Sequence, residues 1–357
     1  MEVYNILFNR LLSETAKRQA SDLHLSVGSV PVIKKDGRLV KMEQEKIIEQ
    51  EILSQIANSF LEKEEQKILE EKRELTVVKV LGGHFRFKIN IYYQKGLLAA
   101  SFRLIPEATR SFADLNLPAI VADFVKFSGG LVVVAGSYGG GKTTTIGAMI
   151  EHINKTGQRR ILTLESAIEM PFISKQSVIE QRLIGHDVLS LVDGLKYCQK
   201  EDIDVLVVSS AQMEFIEAIP VILDIASSNS LVIVEIDTDS TIRVIEKILG
   251  CYPSDKQESA RMLLADVLEG IIIQKLIPKN GGGLALALEI LVGTSAVKSV
   301  IREGKVKQIE TIMQTSGPQG MVTMTKSLVA LVRSGQISQE DALANAPHKE
   351  DFKIMIK

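Results

Sequence analysis

The sequence predicts an α/β protein in two parts. A small α+β domain covers residues 1–105, and a parallel-sheet domain with a helical C-terminal part covers 128–357. Three observations carry this. Short period-2 runs dominate the first hundred or so residues, as half-buried strands do. From Leu131 onward, strand runs alternate with helical runs, the pattern of a mostly parallel sheet with helices on both faces. Between the first such strand and helix lies Gly136-Ser137-Tyr138-Gly139-Gly140-Gly141-Lys142-Thr143, which fits G-x-x-x-x-G-K-[ST] in its proper setting.

In chain order, residues 4 to 19 carry Ile6, Leu7, Leu11 and Leu12 at helical spacing. Ser21 to Ser26 alternates as a strand. Val30 to Ile33 and Gly37 to Val40 flank Lys35-Asp36-Gly37, a hairpin turn. Glu49 to Glu70 reads as one or two charged amphipathic helices, and the run Glu62 to Glu74 as a solvated face. Leu75 to Leu81, Phe85 to Tyr93 and Leu97 to Leu104 read as strands, the first two joined across Gly82-Gly83. Residues 106–127 read as a linker. Then come strands at Leu131 to Ala135, Arg160 to Glu165, Val205 to Ser209 and Leu231 to Ile236. Helices are expected at Thr143 to Asn154, Val188 to Lys200, Glu214 to Ser228, Thr241 to Leu249 and Asp255 to Gln274. Leu284 to Ile290 is a strand, followed by helices at Ser295 to Glu303, Met324 to Ser334 and Ser338 to Ala346.

At 357 residues the chain is long enough for two cores. A formal charge of −2 gives no whole-chain signature of nucleic-acid binding, so no nucleic-acid partner is expected. The two cysteines, Cys198 and Cys251, have no metal-binding spacing; one disulfide between them is an alternative, but they read as two buried thiols of a reducing cytosol. No run approaches the ~20 apolar residues of a membrane span. The expectation is a cytoplasmic protein with no direct membrane insertion.

The loop fixes a ligand class. Its glycines let backbone N–H groups converge on phosphate oxygens, and the following helix adds its positive end. Lys142 reaches the β- and γ-phosphates of a nucleoside triphosphate, and the Thr143 hydroxyl sits on Mg²⁺. The expected nucleotide-binding set is Gly136, Ser137, Gly139, Gly140, Gly141, Lys142, Thr143 and Thr144, with ATP or ADP and Mg²⁺ as ligands.

The order of motifs resembles the type IV pilus retraction ATPases of the secretion superfamily, over nearly the whole chain. Ala20-Ser21-Asp22-Leu23-His24-Leu25-Ser26, Phe85-Arg86-Phe87 and Ser101-Phe102-Arg103-Leu104-Ile105-Pro106 are similar to that family's N-terminal segments. Ala296 to Lys305, Gln314 to Met321 and Gly335 to Ser338 match the tail of its retraction branch. The resemblance implies a PAS-like N-terminal domain and a RecA-like P-loop domain with ATP between them. It implies a six-membered ring on the cytoplasmic side of the pilus machine, either a homo-hexamer or a mixed hexamer with an active retraction ATPase. It also implies peripheral attachment to the inner membrane through a pilus platform protein. Arg86 and Arg103 fall where that family supplies arginines to a neighbour's nucleotide, whereas His84 and Lys95 stand at other arginine positions.

The chain departs from the family at its catalytic acids. In Thr163-Leu164-Glu165-Ser166-Ala167-Ile168-Glu169, a serine replaces the aspartate that should follow Glu165. Ser210 occupies the position of the catalytic glutamate. Ser230 and Asp237 replace the two histidines that flank a strand. Losing one well-placed catalytic group commonly costs about 10²–10⁴-fold in rate. Glu165 and Asp237 are the candidate catalytic acids that remain, with Glu165 beside Thr143 on the metal side; Glu169 and Asp204 are further acids nearby in sequence. The expectation is a nucleotide-binding ring subunit of the retraction and twitching system, with weak or lost hydrolysis and a regulatory or accessory role. An active motor with rearranged acids and a nucleotide-stabilised adaptor at the pilus base remain alternatives. His24, Arg261 and Gln274 read as structural, the last two on the expected 255–274 helix, and His186 as a loop residue.

Overall fold

The computed structural model describes residues 3–105, 109–209 and 214–357. Their contacts form two compact units. One takes the chain up to Ile105 together with the segment Ala167–Met170; the other takes Thr109–Ser166 and Pro171–Lys357.

The first unit runs α1 (Val3–Lys17), β1 (Asp22–Ser26), β2 (Val32–Lys35), β3 (Arg38–Lys41), α2 (Gln50–Phe60), α3 (Lys63–Lys72), β4 (Glu74–Leu81), β5 (Phe85–Gln94) and β6 (Leu97–Ile105). Its six strands form one antiparallel sheet in the order β3-β2-β1-β6-β5-β4. Asp36 and Gly37, at φ 49° and 79°, make the predicted two-residue hairpin between β2 and β3. Alternation decides which face is inside. Leu23 and Leu25, Phe87, Ile89 and Ile91, and Leu98, Ala100 and Phe102 form one core with Phe8, Leu11, Leu53 and Ile56 of the helices. The intervening positions Asp22, His24, Arg86, Lys88 and Arg103 therefore share the opposite, polar face.

The second unit runs α4 (Ala119–Phe124), β7 (Gly130–Gly136), α5 (Lys142–Thr156), β8 (Arg160–Glu165), β9 (Val178–Leu183), α6 (Leu191–Cys198), β10 (Val205–Val208), α7 (Phe215–Ala226), β11 (Leu231–Ile236), α8 (Thr241–Leu249), α9 (Gln257–Val267), β12 (Leu268–Pro278) and β13 (Leu284–Val292). Five helices follow: α10 (Ser295–Arg302), α11 (Ile309–Thr315), α12 (Met324–Arg333), α13 (Gln339–Asn345) and α14 (Lys349–Ile356). The seven-stranded sheet has the order β13-β12-β7-β11-β10-β8-β9, parallel except for β13.

Both faces of this sheet are covered, which is why its strands read as unbroken apolar runs. Val132, Val134, Val205, Val207 and Ile233 pack with Ile146, Met149 and Ile150 of α5. The alternate residues Leu131, Val133, Leu206, Val208, Val232 and Val234 pack with α7, α8 and α9. Ser190, Thr294, Thr323 and Ser338 each accept a backbone N–H at a helix start. Such caps contribute about 1 kcal/mol each.

Helices α11 and α14 were not anticipated, and three further differences from the sequence expectation bear on the sheet and its core. The expected helix from Asp255 to Gln274 stops at Val267, and Leu268–Pro278 is a buried strand between β7 and β13. The edge strand β9 was not anticipated. The segment 106–127, expected as linker, contains α4, whose Val121 and Phe124 are fully buried in the second unit's core. Among the described residues no helix is long and apolar enough to cross a membrane.

Candidate functional site

The glycine loop leaves the C-terminal end of β7 and enters α5, the position where parallel sheets present their ligand sites. Close approach explains its first glycine. A Cβ on Gly136 would lie 2.5 Å from Gln274 O of β12, and one on Gly140 would lie 3.0 Å from Ser137 O. Gly139 and Gly141 adopt φ of 78° and 88°, a left-handed region that disfavours other residues. Ser137 and Gly139 are exposed, while Thr143 and Thr144 sit half-buried in the first turn of α5. Gln274 Nε2 donates to Thr145 Oγ1 at 2.9 Å, pinning α5 to β12. Gln274 Oε1 is buried with no hydrogen-bond partner among the described residues. Gln274 thus lies on a strand beside the loop rather than on a helix, one position past the paired Ile273 and Ala135.

Lys142 is 5% exposed and bonded by three oxygens, with a fourth nearby. Its Nζ donates to Gly136 O at 3.1 Å and Ser137 O at 3.0 Å, and it pairs with Asp237 Oδ1 at 2.6 Å. Glu235 Oε1 lies 3.7 Å away. The sheet register explains both acids. Glu235 pairs with Val134 and Ile236 with Ala135, so Asp237 emerges from β11 level with Gly136. Asp237 therefore meets the loop. Glu235 is the residue that sequence reasoning missed. Its signal was a lone carboxylate in the apolar run Leu231–Ile236, two positions before Asp237 and so on the same strand face.

The other predicted acids lie elsewhere. Glu165 ends β8, three strand spacings or about 14 Å of backbone from β7. It is buried and accepts from Thr163 Oγ1 at 2.6 Å and Gln181 Nε2 at 3.0 Å. Asp204 accepts from Arg160 N at the opposite end of the sheet. Ser230 also sits at that far end, its hydroxyl donating to Ile203 O at 2.7 Å. Seven positions along a strand separate it from Asp237 by about 23 Å. The serine thus stands at the other end of β11 from the loop. Ser210 lies outside the described residues.

Arg86 and Arg103 share the polar face of the first unit. Arg86 Nη2 donates to Ile168 O at 3.0 Å, and Arg103 Nε to Asp22 Oδ1 at 3.0 Å. Between them on β5, Lys88 pairs with Glu169 at 2.7 Å. His84 stacks on Phe85, Lys95 turns the chain at φ 52°, and exposed His186 bonds Asp187. Cys198 and Cys251 are both free, and burial pushes their thiols up to about 11, which leaves them protonated and unreactive at neutral pH.

These residues fit a nucleotide. The loop is a backbone cradle with its lysine at hand, and a hydroxyl-bearing Thr143 opens the helix. Among the described residues no group of three or more His, Cys, Asp or Glu forms a metal cage.

The fold and the loop together define a two-unit P-loop α/β protein. Comparisons with known proteins agree. The family described as type II/IV secretion system protein matches residues 2–349. The chain is 34% identical over 342 residues to the type IV pilus retraction ATPase PilT of Pseudomonas aeruginosa, covering 96% of this chain and 98% of that protein. It is 27% identical over 351 residues to the type IV pilus ATPase PilU of the same organism, covering 98% and 91%. The crystal structure of the pilus retraction motor PilT with bound ADP superposes with a TM-score of 0.83 at 32% identity, covering 99% of each chain. The chain belongs to the PilT/PilU-like family of type II/IV secretion ATPases.

Proposed function

We propose that this chain is a nucleotide-binding ring subunit of a type IV pilus retraction system, with weak or lost hydrolysis and an accessory or regulatory role. It binds ATP or ADP through Gly136 to Thr144, with Mg²⁺ beside Thr143. It assembles as a homo-hexamer or in a mixed hexamer with an active retraction ATPase. It works in the cytoplasm, held to the inner membrane through a platform protein, with Arg86 and Arg103 serving a neighbour's nucleotide. The observation that carries this reading is a complete loop whose Lys142 pairs with Asp237, just past β11, with Glu235 of β11 nearby, while serine stands at positions 166 and 210. Hydrolysis requires a positioned water and stabilised charge as well as bound phosphates.

Steady-state hydrolysis by the purified chain, set beside its Lys142→Ala variant, tests this. The expected result is nucleotide binding that the substitution abolishes, with turnover near background in both. Clear Lys142-dependent turnover would overturn the impaired-hydrolysis reading. It would favour the second one, an active motor using Asp237 and Glu165, for which the 2.6 Å contact between Asp237 and Lys142 speaks.

A further inference from the structure

In a loop of this type the lysine is the cation that meets the β- and γ-phosphates. An ammonium has three N–H donors. Here Asp237 Oδ1 at 2.6 Å, Ser137 O at 3.0 Å and Gly136 O at 3.1 Å account for all three. Glu235, 3.7 Å off, adds a second negative charge without a hydrogen bond. The arrangement is built into the sheet. Glu235 lies on β11 and Asp237 follows its last residue two positions on, toward the same side, and β11 is locked in register to the strand that feeds the loop. Lys142 is 5% exposed and Glu235 14%, so solvent screens that pair weakly, while Asp237 at 35% is partly open to solvent.

A phosphate that engages Lys142 must displace one of these oxygens, and it then shares one cation with two carboxylates. A diphosphate can do so with a single oxygen. A triphosphate brings the γ-phosphate as well, with one further negative charge when both nucleotides are fully ionised, against the same acids. We propose that Asp237, backed by Glu235, is a counter-anion for Lys142 that sets nucleotide selectivity, so that the loop holds a nucleoside diphosphate in preference to a triphosphate. This rests on the nucleotide-binding reading above and deepens it. In this role Asp237 is a positioning and specificity residue that acts through Lys142.

Calorimetric titration of the full-length chain with ADP and with the non-hydrolysable triphosphate AMP-PNP, each with and without Mg²⁺, tests the idea. The wild-type chain is expected to bind ADP about tenfold more tightly than AMP-PNP, a difference of about 1.4 kcal/mol. Asp237→Asn should tighten AMP-PNP about tenfold and ADP little, closing the gap. Glu235→Gln should move the ratio the same way by less, and Asp237→Glu should restore it. A structural role would shift both ligands together and leave the ratio alone. Binding of both nucleotides with an unchanged ratio in all variants overturns the proposal and leaves the nucleotide-binding reading standing. Weaker AMP-PNP binding by Asp237→Asn only when Mg²⁺ is present also overturns it, since Asp237 would then be serving the metal. If no variant and no wild-type sample binds either ligand, the nucleotide-binding reading falls and takes this proposal with it.

Discussion

His24 shows what a single residue contributes in this fold. It stands on the polar face of the first unit's sheet, and its Nε2 is buried with no hydrogen-bond partner among the described residues. Burial holds its imidazole below the usual value, against the pull of Asp22 and with help from Lys34 and Arg103. A histidine depressed in this way favours the neutral form in the folded chain. As pH falls through the ordinary value of 6.5, the unfolded chain takes up a proton that the folded chain refuses, so stability drops. Thermal melts from pH 7 to pH 5 should therefore show a falling midpoint, with a shallower fall in His24→Asn. His152 is depressed in the same direction by its own burial, so some slope should survive. An equal slope in wild type and variant would show that His24 plays no part. The sequence placed His24 on a strand; its buried nitrogen was illegible because it depends on packing from elements distant in the chain.

Among the elements, β12 is where local pattern failed. A buried helix and a buried strand both read as unbroken apolar runs, so the run around Ile271-Ile272-Ile273 fits either period. What decides is the neighbourhood: β12 fills the gap between β7 and β13 and supplies Gln274 beside the loop. Gly270 was the available hint, since glycine weakens a helix interior and marks close approach in a strand. A Cβ there would lie 2.4 Å from the ring of Phe124, which is fully buried. Gly270→Ala should destabilise the second unit by about 1–3 kcal/mol, as overpacking does. Urea unfolding followed on the second unit measures this. Phe124→Leu should cost stability alone yet recover part of the loss when combined with Gly270→Ala. Additive losses in the pair would rule out the steric account. By contrast β7, β10 and β11 were legible, because glycine, serine or aspartate bounds each short valine-rich run and α5 follows the loop at once.

At the scale of the whole molecule, the loop and Asp237 were legible because they are short, contiguous and tied to a strand end. The Lys142 cluster was only half legible, since Glu235 joins it through strand register. The division of the chain was less legible still. The sequence suggested one linker, but Ala167–Met170 belongs to the first unit while its flanks belong to the second, so the chain passes between the units at three places. The contacts responsible span 81 and 82 residues, Lys88 with Glu169 and Arg86 with Ile168 O, and no local pattern encodes such pairs. They make a testable link between two distant segments of the first unit. Lys88 and Glu169 are 23% and 16% exposed, buried enough for the pair to count and wet enough to limit it. Lys88→Met and Glu169→Gln should each lower the first unit's stability by about 1 kcal/mol. Because the two groups act on one contact, the double variant should lose little more than either single one. Hydrogen exchange gives the spatial readout: each substitution should speed exchange in 167–170 and along β5 while leaving β7 and α5 at wild-type rates. Exchange that rises equally in all four segments would mean that the pair supports general stability and does not hold 167–170 to the first unit.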